Sequence, residues 1–94
     1  MRIYVDIDGT ICKTEDSYAN AIPIAENIAK INKLYDQGNI IIYWTARGTG
    51  SGIDHYVLTK TQLIDWHCKF HNLKMKKPSF DLLIDDRTKR IEEI

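Results

Sequence analysis

Three short apolar runs, residues 2–7, 40–44 and 80–84, alternate with segments of helical periodicity, and that alternation dictates a parallel sheet. Runs of Ile, Val and Leu without polar alternation are strands buried on both faces. Between the first two runs, Ile24, Ile28, Ile31 and Tyr35 recur at helical spacing, joined by Ala25 and Leu34. Pro23 fits the first turn of that helix and Gly38 its C-terminal cap. Between the second and third runs, Thr59-Lys60-Thr61-Gln62 has the form of a capping box. It opens a helix predicted to reach about residue 71, with Leu63, Trp66, His67 and Phe70 inward. A weaker strand is expected near residues 72–75. Strand–helix–strand–helix–strand order implies right-handed crossovers and helices on both faces, a three-layer α/β/α Rossmann-like sheet. At 94 residues the chain is one such domain, residues 1–94.

In open parallel sheets, ligands bind beyond the carboxyl ends of the strands. The residues there are Asp6 and Asp8, then Thr45 and Arg47, then Asp85, Asp86 and Arg87. Polar groups distant in sequence are thus expected to converge in space. The first set is the most demanding: side chains two apart on a strand share a face, and Gly9 turns the chain immediately after Asp8. Two carboxylates crowded to 4 Å repel by about 4 kcal/mol at an effective dielectric near 20. A structural turn gains nothing from that repulsion, whereas a divalent cation and a phosphate offset it.

Clustered carboxylates suit Mg²⁺, which takes one or two of them together with waters and substrate phosphate. A carboxylate can attack phosphorus to give an aspartyl-phosphate, and a second acid can protonate the leaving alkoxide and then activate water. A hydroxyl and an ammonium stabilise the equatorial oxygens.

Composition closes off other classes. Thirteen basic side chains balance thirteen acidic ones, which argues against nucleic-acid binding by bulk charge, with Lys74, Lys76 and Lys77 left as a local basic patch. No apolar run approaches the ~20 residues that span a bilayer, and no signal-peptide pattern opens the chain. Cys12 and Cys68 lack zinc-ligand spacing with each other or with His55, His67 and His71, and predict reduced thiols and a cytoplasmic setting. Gly48, Gly50 and Gly52 do not follow the P-loop pattern. Trp44 and Trp66 read as core residues.

Asp6-Ile7-Asp8-Gly9-Thr10, then Thr45 after an apolar strand, then a lysine before Asp85-Asp86, together resemble the four motifs of the haloacid dehalogenase-like superfamily over residues 1–90. The resemblance implies Asp6 as nucleophile and Asp8 as acid/base, Thr45 and Lys77 on the phosphoryl group, and Asp85 with Asp86 holding Mg²⁺ alongside Asp6 and the Asp8 backbone carbonyl. Lys77, before Pro78, is favoured over Lys76. Asp86 is either a ligand or an acceptor behind one. Arg47 and Arg87 either bind substrate phosphate or form structural ion pairs. A closer similarity, in the run from Ser17 to Arg47, Ile64-Asp65-Trp66 and Ile84-Asp85-Asp86-Arg87, is to a subgroup associated with capsule and surface-polysaccharide biosynthesis.

The stretches from Gly9 to the first helix and from Thr45 to Lys77 are too short for the cap domain many members carry. The expectation is a minimal, capless core with an open site. It would be a Mg²⁺-dependent phosphatase acting on a small phosphorylated substrate such as a sugar phosphate. The alternatives are a terminal phosphate on a macromolecule, or a catalytically silent partner domain. Cover for the open site is expected from the 9–20 loop, the 46–53 loop or a neighbouring copy of the chain, the last of which would also cover the sheet edge.

Overall fold

The computed structural model describes residues 1–94. A three-stranded parallel sheet of order β1-β4-β5 is built from β1 (Arg2–Val5), β4 (Ile40–Trp44) and β5 (Asn72–Lys74). Its register sets Arg2 beside Ile40 and Val5 beside Tyr43, with Ile42 beside Asn72 and Trp44 beside Lys74. A two-stranded antiparallel ribbon, β2 (Cys12–Lys13) with β3 (Ile22–Pro23), hangs from the end of β1. It encloses a 3-10 turn at Tyr18–Asn20.

Helix α1 (Ala25–Asp36) is the crossover from β1 to β4. It buries Ile28 and Ile31, as the periodicity predicts, while Pro23 lies just before it in β3. Gly38, at φ +94°, ends it: the Gly38 N–H donates to the Tyr35 carbonyl and the Asn39 N–H to that of Leu34, a closure that needs a left-handed residue. Helix α2 (Tyr56–Asp65) is earlier and shorter than predicted, with His55 at its N-cap. Thr59 and Gln62 do not cap it. Both lie within the helix with buried side chains, because each bonds a buried arginine instead. His67 is exposed at φ +59° rather than packed inward, since the chain has already turned out of the helix there.

Val5, Ile7, Ile41, Tyr43 and Leu73 form one face of the sheet, and Ile28 and Ile31 from α1 and Leu63 from α2 join them in a single cluster. Both helices therefore pack on the same face. The opposite face, with Tyr4 and Ile40 about half exposed, Ile42 buried and the Tyr4 and Trp44 rings edge to face at 5.5 Å, carries no helix. The α/β class is as expected, but the sheet is helix-covered on one face rather than two.

The reason lies in residues 72–84. The weak strand becomes β5 and occupies the second edge of β4. The Lys77 N–H then donates to the Thr45 carbonyl, so the chain is already at the carboxyl end of the sheet. A further parallel strand must start at the opposite end. Three residues reach about 10 Å, and a five-residue strand is about 16 Å long. Residues 80–84 accordingly form no strand and expose Leu82, Leu83 and Ile84 (75, 51 and 89%).

Two substitutions separate these assignments by denaturant unfolding. Ile41→Ala, at the centre of the buried face, is expected to cost about 2–5 kcal/mol. Leu82→Ala is expected to cost less than about 0.5 kcal/mol, where a buried strand would lose several times more.

Candidate functional site

The chain turns at the end of β1 under tight backbone control. Ile7 and Ile11 are fully buried, and the Ile11 N–H donates to the Ile7 carbonyl at 3.0 Å. Between them Gly9 adopts φ +82°, and its N–H donates to the Cys12 carbonyl at 2.9 Å. The Asn27 side-chain amide donates to the Thr10 carbonyl at 2.9 Å, fastening the turn to α1. Asp6 and Asp8 thus project from a loop clamped on both sides.

Each carboxylate has its own cation. Lys77 Nζ lies 3.3 Å from Asp6 Oδ1, and the Thr10 hydroxyl donates to Asp6 Oδ2 at 3.1 Å. The same ammonium lies over the Trp44 and Phe80 rings, 5.8 and 5.5 Å from their centroids, so two aromatic faces help position it beside Asp6. Lys76, exposed and at φ +65°, points the chain away; Lys77 is the lysine that reaches the site.

Asp8 is gripped more tightly. Arg47 Nε donates to Asp8 Oδ2 at 3.0 Å and Nη2 to Oδ1 at 2.8 Å, a two-pronged contact matched to a carboxylate. The Thr14 hydroxyl donates to Oδ1 at 2.6 Å, and Cys12 Sγ approaches at 3.5 Å. The other prong of Arg47 donates to Thr59 Oγ1 at 3.2 Å and Gln62 Oε1 at 2.6 Å, and its guanidinium carbon lies over the Tyr18 ring, 4.8 Å from the centroid. The arginine side chain is wholly buried with its donors committed, so none is left for substrate phosphate. Burial pushes the Asp8 carboxyl up, and the hydrogen bonds from Arg47, Thr14 and Cys12 outweigh it, leaving it below the ordinary 3.8.

Thr45 closes the group. It is buried, its hydroxyl oxygen accepts the Arg47 N–H at 3.1 Å, and its carbonyl accepts the Lys77 N–H at 3.0 Å. The hydroxyl proton is then free to be donated elsewhere. One residue thus ties the arginine of one carboxylate to the lysine of the other.

Asp85 and Asp86 are not brought to this group. They sit on an exposed turn where the Arg87 N–H donates to Asp85 Oδ1 and the Arg87 side chain lies 3.9 Å from Asp86. The cause is the displaced 80–84 segment described above. No three acids, histidines or cysteines lie together in the arrangement a cation needs. Asp6 keeps lone pairs for a cation, while both oxygens of Asp8 are taken by arginine; the donor set for Mg²⁺ is therefore incomplete in this arrangement.

Sequence reasoning missed three members of the site. Thr14, Thr59 and Gln62 are ordinary polar residues until Arg47 is placed among them. The signal available was a polar pair at spacing i, i+3 on an otherwise apolar helix face.

Among solved structures, a crystal structure of an MCSG target from Vibrio cholerae superposes at a TM-score of 0.90, with 23% identity over 98% of this chain and 85% of that one. At that identity the likeness establishes the α/β fold alone. No family model matches the chain, and no curated protein does.

Arg47→Met should destabilise the protein toward the low end of about 3–5 kcal/mol, because it leaves Asp8 ionised and unpaired in a part-buried site. The pH dependence follows in sign. A carboxyl depressed in the folded state adds stability that is present above its unfolded value and fades as pH falls through the folded one. Denaturant titrations from neutral into acid pH should show this loss in the parent protein and a shallower one in Arg47→Met.

Proposed function

We propose that this chain is a phosphomonoesterase of the haloacid dehalogenase type, with Asp6 as nucleophile and a HAD-like core as its scaffold. The observation that carries the reading is the division of labour between two neighbouring carboxylates. Asp6 is part-exposed and held by one lysine and one hydroxyl, whereas Asp8 is locked to a buried arginine. Asp6 is the one with lone pairs open toward solvent, as a nucleophile needs.

In the proposed reaction an Asp6 oxygen bonds to phosphorus as the ester P–O bond breaks, and the leaving group departs with the bonding electron pair, either as the anion or with a proton taken from a protonated Asp8. Water then attacks phosphorus, gives its proton to Asp8, and releases phosphate with Asp6 restored. Lys77 and the Thr45 hydroxyl face the same phosphoryl group, one as charge and one as donor. Arg47 keeps Asp8 ionised, which suits it to accept the proton from water. Protonating a leaving alkoxide asks more of it, because Asp8 must first take a proton against the arginine. Leaving groups that depart as stable anions are therefore the easier substrates.

The proposed cofactor is Mg²⁺, which would shield the phosphate charge; Asp6 and the Asp8 backbone carbonyl are the donors at hand, and Asp85 with Asp86, on their exposed turn, would complete the set only if brought to the same point. A second reading, a silent domain that keeps the fold, is favoured by the one observation that the late acids stand apart.

Phosphate release from p-nitrophenyl phosphate with added Mg²⁺ decides between them. Asp6→Asn should reduce turnover at least a hundredfold while changing stability by no more than about 1 kcal/mol, since it loses a single part-exposed ion pair. Residual activity above a few per cent removes Asp6 as nucleophile. Asp85→Asn should raise the Mg²⁺ requirement severalfold; an unchanged titration shows that the late acids stay outside the site.

A further inference from the structure

Two strand-forming surfaces in this molecule lack partners. β1 has β4 on one side only, so the backbone groups along its other side face no strand. Residues 80–84 have strand composition, form no element and leave Leu82, Leu83 and Ile84 exposed. Each is a liability alone, and the two are complementary.

The segment protrudes between two anchors on its own body. Before it, Lys77 is held by the Thr45 carbonyl and by Asp6. After it, Ile91 packs on the core and its carbonyl accepts Lys30 Nζ at 3.3 Å. The chain cannot lay 80–84 parallel on its own β1, because it leaves Lys77 at the carboxyl end of the sheet and that strand would have to start at the amino end. A second copy removes the obstacle. About a twofold axis two β1 edges run antiparallel, so the amino end of one lies beside the carboxyl end of the other. An arm leaving Lys77 then meets the other copy's β1 at its start and runs parallel with it.

The side chains fit one register. Level residues of parallel neighbours share a face, as Ile3 with Ile41 and Val5 with Tyr43 do toward the core. With Asp85 level with Asp6, Leu82 and Ile84 fall beside Ile3 and Val5 on the core face. Leu83 falls beside Tyr4 on the other face, and Asp81 falls beside Arg2 as an opposite-charge pair. The two most exposed leucine and isoleucine side chains of the segment are thus the ones that gain cover. The β5 edge does not serve equally. It is three residues long, and a strand added there would end three strand spacings, about 14 Å, from the end of β1.

We propose that two copies of this chain exchange residues 80–84 as a strand on each other's β1, so that each site combines its own Asp6 with Asp85 and Asp86 of the other copy. The exchange stands on the free edge and the unpaired segment; that the acids complete a cation site rests on the phosphomonoesterase reading. It fills the incomplete donor set beside Asp6 while leaving the sheet and both helices in place. The small cost expected for Leu82→Ala belongs to the separated chain and is read at a dilution where copies dissociate.

The exchange is tested without turnover. Sedimentation velocity of the intact protein at high micromolar concentration should give a dimer. Leu82→Asp with Ile84→Asp, at side chains exposed in the single chain, should give a folded monomer. Chains carrying Tyr4→Cys and chains carrying Leu83→Cys, both in a Cys68→Ser background and told apart by a tag, are refolded together and oxidised. Peptide mapping should find position 4 of one kind joined to position 83 of the other. A separate arm reads the shared site. Asp6→Asn and the Asp85→Asn/Asp86→Asn variant, each strongly impaired on p-nitrophenyl phosphate at limiting Mg²⁺, should recover about a quarter of parental turnover when refolded together, because half the dimers are mixed and one of their two sites is whole. A monomeric parent protein, a dimer unmoved by the two aspartates, or no disulfide between the two kinds of chain overturns the exchange. An active parent protein whose impaired variants recover nothing on mixing overturns the shared site. An exchanged dimer with no turnover in any form removes the phosphatase and leaves the exchange standing.

Discussion

A buried arginine is the constraint on which the site depends. Arg47 carries a full charge where no water reaches it, a situation tolerated only when a carboxylate and further acceptors surround it. Asp8, Thr59 and Gln62 meet that demand from the β1 turn and from two positions on α2. The arginine thereby draws the end of β1, the end of β4 and one face of α2 to a common point. Removing any partner would leave a buried donor or charge unsatisfied, which is why the geometry there is held so narrowly.

The same pair resolves the electrostatic problem posed by two acids on one short loop. Each acid has a separate cation, one buried and one half-exposed, so the mutual repulsion is offset without a third group between them. The two carboxylates are made unlike as a result. Asp8 is committed on both oxygens and stays ionised; Asp6 remains open to solvent. Environments that push two like groups apart are the usual way one site obtains two roles.

The legibility of the fold varied with how local the signal was. Residues 2–5 and 40–44 and the first helix follow directly from apolar runs, periodicity and Gly38, because each is fixed by its own residues. The 80–84 run has the stronger strand composition, yet Asn72–Lys74 takes the place beside β4. Propensity is local, but a seat in a sheet is filled by whichever segment the chain can deliver to it. Once β5 is parallel and ends near Thr45, no short connection returns Phe80 to the start of a strand. Similarly, Thr59 and Gln62 carry the letters of a capping box, and only the nearby guanidinium reveals that their side chains face inward.

The amino-acid order alone settled the α/β class, the turn at Gly9 and the nearness of Asp6, Asp8 and Thr45, since each follows from strand ends in a parallel sheet, while Lys77 was reached only through the family resemblance. Tertiary structure decided which cation each acid keeps, that Arg47 is spent on the protein itself, that both helices share one face, and that Asp85 and Asp86 stand apart. Those outcomes rest on desolvation and on the reach of a few connecting residues, quantities that exist only once distant segments occupy the same space.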